Sequence, residues 1–147
     1  MKLYFFCLLL LICSCKKNTG SISNVHQLPK DFTQFYDKFH DDSLYQMEHI
    51  IFPLEGMPAS EGKLTDPDFK WMKEDWQIHK PFTDPNGDYT RELFAMDSSI
   101  VIEKIRLKNN EFGMERRFAK SNNEWYLIYY AAMNRLVKNN SIDSNME

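Results

Sequence analysis

Residues 31 to 48 carry apolar side chains at helical spacing. Apolar residues recur at i, i+3, i+4 and i+7, at Phe32, Phe35, Tyr36 and Phe39. This spacing predicts an amphipathic helix that buries one face. Asp31 stands where an N-cap residue belongs, and the sequence 43–46 repeats a capping pattern. A second short helix is therefore predicted to begin near Leu44.

The next segments indicate one strand and a third helix. Residues 49–56 are apolar and β-branched, which predicts a strand, and Pro53 places it at a sheet edge or a strand end. Asp66 followed by Pro67 has the form of a helix start, because the missing N–H of proline costs nothing in the first turn. The predicted helix carries Phe69, Met72 and Trp76 at helical spacing.

The C-terminal half has the composition of strands. Short polar connections separate four such segments, 89–96, 100–108, 111–120 and 125–133. Short connections make antiparallel neighbours. In the last segment Trp125, Leu127 and Tyr129 alternate with Tyr126, Ile128 and Tyr130. Both faces of that strand are therefore apolar, so it is covered on both sides or lies at the interface of a homodimer.

Helices followed by an antiparallel meander indicate an α+β fold with the helices on one face of the sheet. Four segments, "DSLYQMEHIIFPLEG" (42–56), "WMKEDWQIHKPF" (71–82), "YTRELF" (89–94) and "EWYLIYY" (124–130), carry a more specific likeness. The chain resembles an uncharacterised family of bacterial lipoproteins, a domain of unknown function with the nuclear transport factor 2-like (cystatin-like) fold. The resemblance covers 32–130 and implies a curved sheet wrapped around helices, forming a cone with a pocket. It brings no established activity with it.

The N-terminus has the pattern of an export signal. An apolar run, 3–12, follows the single basic residue Lys2 and is too short to span a bilayer as a helix. The run ends in Ile12-Cys13-Ser14-Cys15, which resembles the lipobox of bacterial lipoproteins. That resemblance implies cleavage after Ser14 and lipid attachment to Cys15. The other interpretation is an ordinary signal peptide that is cut elsewhere.

The chain then divides into four parts. These are a signal peptide (1–14), a lipidated flexible tether (15–30), the folded domain (31–135) and a polar tail (136–147). The expected location is the bacterial cell envelope, anchored to a membrane through lipid on Cys15. The domain is predicted to face the periplasm, because Lys16-Lys17-Asn18, and not acidic residues, follow the cysteine.

The cysteines and the net charge indicate how the domain is stabilised and which partners are disfavoured. Cys7 and Cys13 leave with the signal and Cys15 takes the lipid, so the mature domain has no disulfide and is held by its core. The formal net charge of the whole chain is −3. Loss of Lys2 with the signal makes it more acidic still. This sign disfavours nucleic-acid binding.

Motifs for chemistry are absent from the sequence. It has no phosphate-binding glycine loop, no nucleophile motif and no metal-ligand spacing. The stretch 84–88 is interpreted as a turn and not a calcium loop. His40 beside Asp41 and Asp42, or Glu48 with His49, could supply an acid–base pair or metal ligands. Adjacent residues point in different directions, so these clusters are interpreted as solvated polar residues at element ends, and His79 stands singly. We therefore predict no catalytic residue, no metal and no cofactor.

Two functions remain open. The favoured one is a non-catalytic module that binds a small apolar ligand or an envelope protein. The other is a small isomerase-, dehydratase- or hydrolase-like enzyme that uses a buried carboxylate, as ketosteroid isomerase does in a cone of this shape. The residues expected to line the pocket are Tyr36, Trp71, Trp76, Glu103, Arg116 and Tyr129.

Overall fold

Two helices and six strands make up the described part of the chain, residues 27–60 and 66–136, in the computed structural model. The helices are α1 (Lys30–Asp41) and α2 (Ser43–Glu48). The strands are β1 (Ile50–Met57), β2 (Lys70–Trp71), β3 (Tyr89–Ala95), β4 (Ile100–Leu107), β5 (Phe112–Ser121) and β6 (Glu124–Arg135). The predicted signal, Cys15, His26 and the tail beyond 136 lie outside the described residues.

The six strands form one mixed sheet. Their order is β2-β1-β6-β5-β4-β3. The pair β1–β6 is parallel, and every other neighbouring pair is antiparallel. The predicted α+β fold, helices first and then a meander, is confirmed.

Helix α1 packs its apolar stripe on one face of the sheet, called here the inner face. Phe32 has no exposed surface and meets Phe118 of β5 and Trp125 of β6 edge-on, at ring-centroid distances of 5.4 and 5.0 Å. Edge-to-face packing of this kind adds about 0.5–1.5 kcal/mol per pair to the burial itself. Val101 and Leu127, both fully buried, complete this layer from β4 and β6.

The start of α1 differs from the prediction. The helix begins at Lys30 with Pro29 as the N-cap residue, and no side chain caps it. Asp31 instead accepts a hydrogen bond from Trp125 Nε1 at 3.0 Å and pairs with Lys120 Nζ at 2.6 Å. The carboxylate therefore fixes α1 to the β5–β6 hairpin. The predicted second helix is confirmed as α2, and Asp42 caps it.

The predicted third helix is wrong. Residues 70–71 form β2, and Lys73–Asp75 is a single 3₁₀ turn. The strand that carries Pro53 is also not an edge strand, because β1 lies between β2 and β6, although β2 pairs only with Leu54 and Glu55. Proline is tolerated there because the β1–β6 register is irregular between Ile50 and Glu55.

A bulge changes the side-chain alternation of β6. Phe118 faces Leu127 across the β5–β6 ladder, but Arg117 faces Tyr129, so Ile128 is an extra residue. Tyr130 therefore joins Leu127 on the inner face, and Tyr129 lies on the outer face. The predicted alternation is wrong beyond this point, and Tyr130 no longer needs a second subunit to cover it.

Candidate functional site

A carboxylate and a guanidinium lie side by side in the interior. Strand register places Glu103 of β4 directly opposite Arg116 of β5, and Arg116 opposite Tyr130 of β6. Glu103 is fully buried and Arg116 is 4% exposed. A charged pair at this depth is costly unless its hydrogen bonds are met, so its partners decide its role.

The Glu103 carboxylate is held from several sides. Its Oε1 accepts a hydrogen bond from the Tyr36 hydroxyl and another from Arg91 Nε, both at 2.7 Å. Its Oε2 lies 3.5 Å from Arg116 Nη1, an ion pair without hydrogen-bond geometry. Burial acts to raise the pKa of Glu103, but the charge of Arg116 and the hydrogen bonds from Tyr36 and Arg91 outweigh it and leave the pKa below its usual value. The carboxylate is ionised at neutral pH.

His40 extends this network along α1. Its Nδ1 lies 2.8 Å from the Tyr36 carbonyl oxygen, which can only accept, so Nδ1 carries the proton. Nε2 is then the acceptor for the short hydrogen bond from Arg116 Nη1. Burial, aided by the charge of Arg116, lowers the pKa of His40. His40 is 2% exposed, so its interpretation as a solvated end residue is wrong.

An aromatic cavity of about 330 Å³ lies next to this network. Its wall is formed by four rings, Trp71, Trp76, His79 and Tyr130, together with Ala59, Ile78 and Ala132, and with Asp75 and Gln77. The His79 ring lies 4.5 Å from both Trp76 and Tyr130. The volume is at the lower end of the range of small-molecule sites, roughly 300–1,000 Å³.

Gln46 fixes one wall of the cavity. This α2 side chain is fully buried. Its Nε2 donates to the carbonyl oxygens of Phe39 and His79 at 2.7 and 2.9 Å. Its Oε1 accepts from Trp76 Nε1 at 3.2 Å and from the His79 backbone N–H at 2.8 Å. One amide thus ties the irregular segment 76–79 to both helices.

Gly56 allows Trp71 to pack closely against the Tyr130 backbone in the cavity wall. A Cβ at this position would stand 1.9 Å from the Tyr130 carbonyl oxygen and 2.9 Å from Trp71 Nε1. Without a side chain there, Trp71 Nε1 donates to that carbonyl at 2.9 Å. The requirement for glycine is steric, because any other residue would separate β1 from β6.

The structure divides the six predicted pocket residues into three groups. Tyr36, Glu103 and Arg116 form the buried network, whereas Trp71 and Trp76 line the adjoining cavity. Tyr129 lies elsewhere: the bulge puts it on the outer face, where Arg117 lies over its ring at 4.3 Å beside a second groove of about 310 Å³. Of the six, Trp71 and Trp76 line the aromatic cavity, so the expectation of one pocket shared by all six is corrected for the other four.

Three residues of this region were not predicted from the sequence. The alternation within β6 places Tyr130 on the wrong face, the sequence shows His79 only as a single histidine near an element end, and it shows Gln46 only in a capping pattern. Burial, followed by the positive charge of Arg116, lowers the pKa of His79 to about 3, so the ring is neutral. Its Nδ1 is buried without a hydrogen-bond partner among the described residues.

Within 27–60 and 66–136, no group of three His, Cys, Asp or Glu side chains could hold a metal ion. Over the same residues, the helices are too short or too polar to cross a membrane.

Comparisons with known proteins agree with the fold. Neither a protein-family model nor a curated protein matches the chain. The chain is similar to the crystal structure of a cystatin-like protein from Bacteroides caccae, at 19% identity and a TM-score of 0.54, over 69% of this chain and 74% of that one. Two weaker likenesses are a nuclear transport factor 2-like protein from Bacteroides fragilis (19% identity, TM-score 0.49, 68% of this chain and 45% of that one) and one of unknown function from Methylobacillus flagellatus (10%, 0.41, 77% and 98%).

At such identities a likeness shows the fold alone, and the fold is nuclear transport factor 2-like (cystatin-like). This fold hosts binding proteins and enzymes alike, so function has to be argued from the site. The aromatic cavity is compatible with a ligand-binding module.

Proposed function

We propose that the domain is a non-catalytic binding module whose aromatic cavity takes a small, flat, mostly apolar ligand. The observation that carries the proposal is the cavity formed by Trp71, Trp76, His79 and Tyr130. The indole N–H groups of both tryptophans bond within the protein. The two tryptophans thus present their carbon surfaces to a ligand, and these surfaces suit the stacking of a ring.

The state of Glu103 supports binding over catalysis. A pocket enzyme of this shape needs a carboxylate that reaches its substrate and has a pKa suited to proton transfer. Glu103 has no exposed surface, and its pKa lies below the usual value. Burial and the charge of Glu103 raise the pKa of Tyr36. The Tyr36 hydroxyl already donates a hydrogen bond to the Glu103 carboxylate. The two side chains are hydrogen-bonded to each other, and neither lines the cavity.

Blocking the cavity tests this function. Ala59 is exposed and lines the cavity, whereas Met57 lines the groove on the outer face. We expect one- and two-ring compounds detected by ligand-observed NMR on the full chain to lose binding in Ala59→Trp and to keep it in the control Met57→Trp. Screens for isomerase, dehydratase and hydrolase activity should show no turnover. Reproducible turnover that disappears in Glu103→Gln, with folding intact, would establish the enzyme instead.

We further propose that the protein is an envelope lipoprotein, anchored through Cys15 with its domain facing the periplasm. The support is the sequence Ile12-Cys13-Ser14-Cys15 and the basic residues that follow. In the native host, Cys15→Ala should abolish incorporation of labelled fatty acid and release the chain from membranes, because the thiol is the lipid acceptor. Cys13→Ala is the matched control and should keep both. Labelled lipid on Cys15→Ala would refute the anchor.

We also propose a homodimer, now because of the outer face of the sheet and not because of the alternation within β6. The outer face carries Phe94, Ile102, Arg117 and Tyr129 in one cross-strand row, in which Ile102 is already buried, and a second copy of the chain would cover the two half-buried rings, Phe94 and Tyr129. Sedimentation as a monomer at high concentration would contradict it.

A further inference from the structure

We propose that the ligand of the aromatic cavity carries a carboxylate, which lies at the end of the cavity next to Arg116. This inference rests on the proposed function and adds the charge of the ligand to it. The aromatic rings of the cavity favour a flat ligand. The charged residues next to the cavity determine which polar group that ligand carries.

The network beneath the cavity is not balanced in charge. It contains two guanidinium groups, Arg91 and Arg116, and one carboxylate, Glu103. The other titratable groups packed against it are the neutral His40 and His79 and the phenols of Tyr36 and Tyr130. One positive charge is therefore left over among the described residues. The side chain of Arg91 is 35% exposed, so water screens its charge in part, whereas Arg116 is buried, where water screens a charge poorly.

Among the three charged members, Arg116 lies directly opposite a residue of the cavity wall. It faces Tyr130 across the β5–β6 ladder, at the spacing of neighbouring strands, about 5 Å. Its Nε is buried without a hydrogen-bond partner in the described part of the chain. Buried donors are almost always satisfied, so this side chain keeps positive potential that a nearby anion would offset. Arg116 acts through its field, since Tyr130 and not Arg116 lines the cavity.

The opposite choice, a cationic ligand among the rings, is less well supported. Aromatic faces attract ammonium groups, and Asp75 lines the cavity. Asp75, however, is exposed to solvent, where its charge is screened. Arg116 is buried on the inner side. The field at the inner end therefore favours an anion.

Matched probes of one shape test the proposal. The probes are 2-naphthoate, which is anionic, and its neutral isostere 2-naphthamide, measured by ligand-observed NMR on the full-length chain in lipid nanodiscs. We expect naphthoate to bind roughly tenfold more tightly than the amide at low salt, the effect of a single nearby unit charge. Equal affinities would overturn the anionic ligand and leave the binding module intact. Binding of neither probe would overturn both.

Neighbouring residues provide controls for the field. Arg116→Gln should bring the acid and the amide to similar affinities, whereas Arg117→Gln, one residue away on the outer face, should leave the preference unchanged. Glu103→Gln keeps an oxygen that can accept from Tyr36 and Arg91 but removes the negative charge. It should raise the preference for naphthoate several-fold, so the test stands even if Arg116→Gln fails to fold. A preference that Glu103→Gln does not increase would overturn the proposal.

Discussion

Glu103→Leu should destabilise the domain by about 3–5 kcal/mol, because it leaves two arginines without their buried counter-charge. The carboxylate is the only partner that joins Arg91, Arg116 and Tyr36 among the described residues. Leucine fills a similar volume but accepts no hydrogen bond. Arg116, which is 4% exposed, cannot move into water without opening the core. Urea unfolding followed by circular dichroism measures the loss.

The outer face of the same strands offers a matched control. Glu115 also contacts two cations, Arg117 at 2.6 Å and Lys104 at 3.6 Å, but its side chain is 23% exposed. Glu115→Leu should cost below about 1 kcal/mol, since partly solvated pairs contribute little. If both variants lost the same free energy of unfolding, burial would not explain the contribution of the Glu103 network to stability.

The elements that the sequence predicted correctly are those specified by local pattern. Helix α1 follows from four aromatic residues at helical spacing. Strands β3 to β6 follow from short polar connections, and Asn110, Asn122 and Asn123 at two of these adopt the positive φ that such turns require. Glu103 was also recognisable, as a lone acid on the buried side of an apolar strand.

The incorrect predictions depend on partners distant in the sequence. Asp66 and Pro67 have the form of a helix start, but Trp71 pairs with β1 and bonds to Tyr130, and this tertiary packing overrides the local signal. The bulge at Ile128 depends on registers with β1 and β5, which alternation within β6 cannot reveal. His79 lies in an irregular segment, and its backbone is held by the amide of Gln46, 33 residues away in sequence.

The burial of His79 makes the stability of the domain sensitive to acid. In the unfolded chain the imidazole binds a proton below its ordinary pKa of 6.5, but in the folded chain only near pH 3. Between these values the unfolded state holds the extra proton, so stability falls as the pH falls, by about 1.4 kcal/mol per pH unit for one group. His40, whose pKa is also lowered, acts in the same direction.

We therefore expect His79→Phe to remove about 2 kcal/mol of the stability that the native domain loses between pH 6.5 and pH 5. Phenylalanine keeps a ring against Trp76 and Tyr130 and has no titrating group. The measurement is the free energy of unfolding in urea at both pH values, and the quantity compared is the pH-dependent loss. Trp76→Phe is the control: it alters the same wall, lowers stability at both pH values alike and keeps the full acid sensitivity. If His79→Phe lost as much stability as the native chain over this interval, the imidazole would be free to take up a proton in the folded protein, and the wall around it would be open to water.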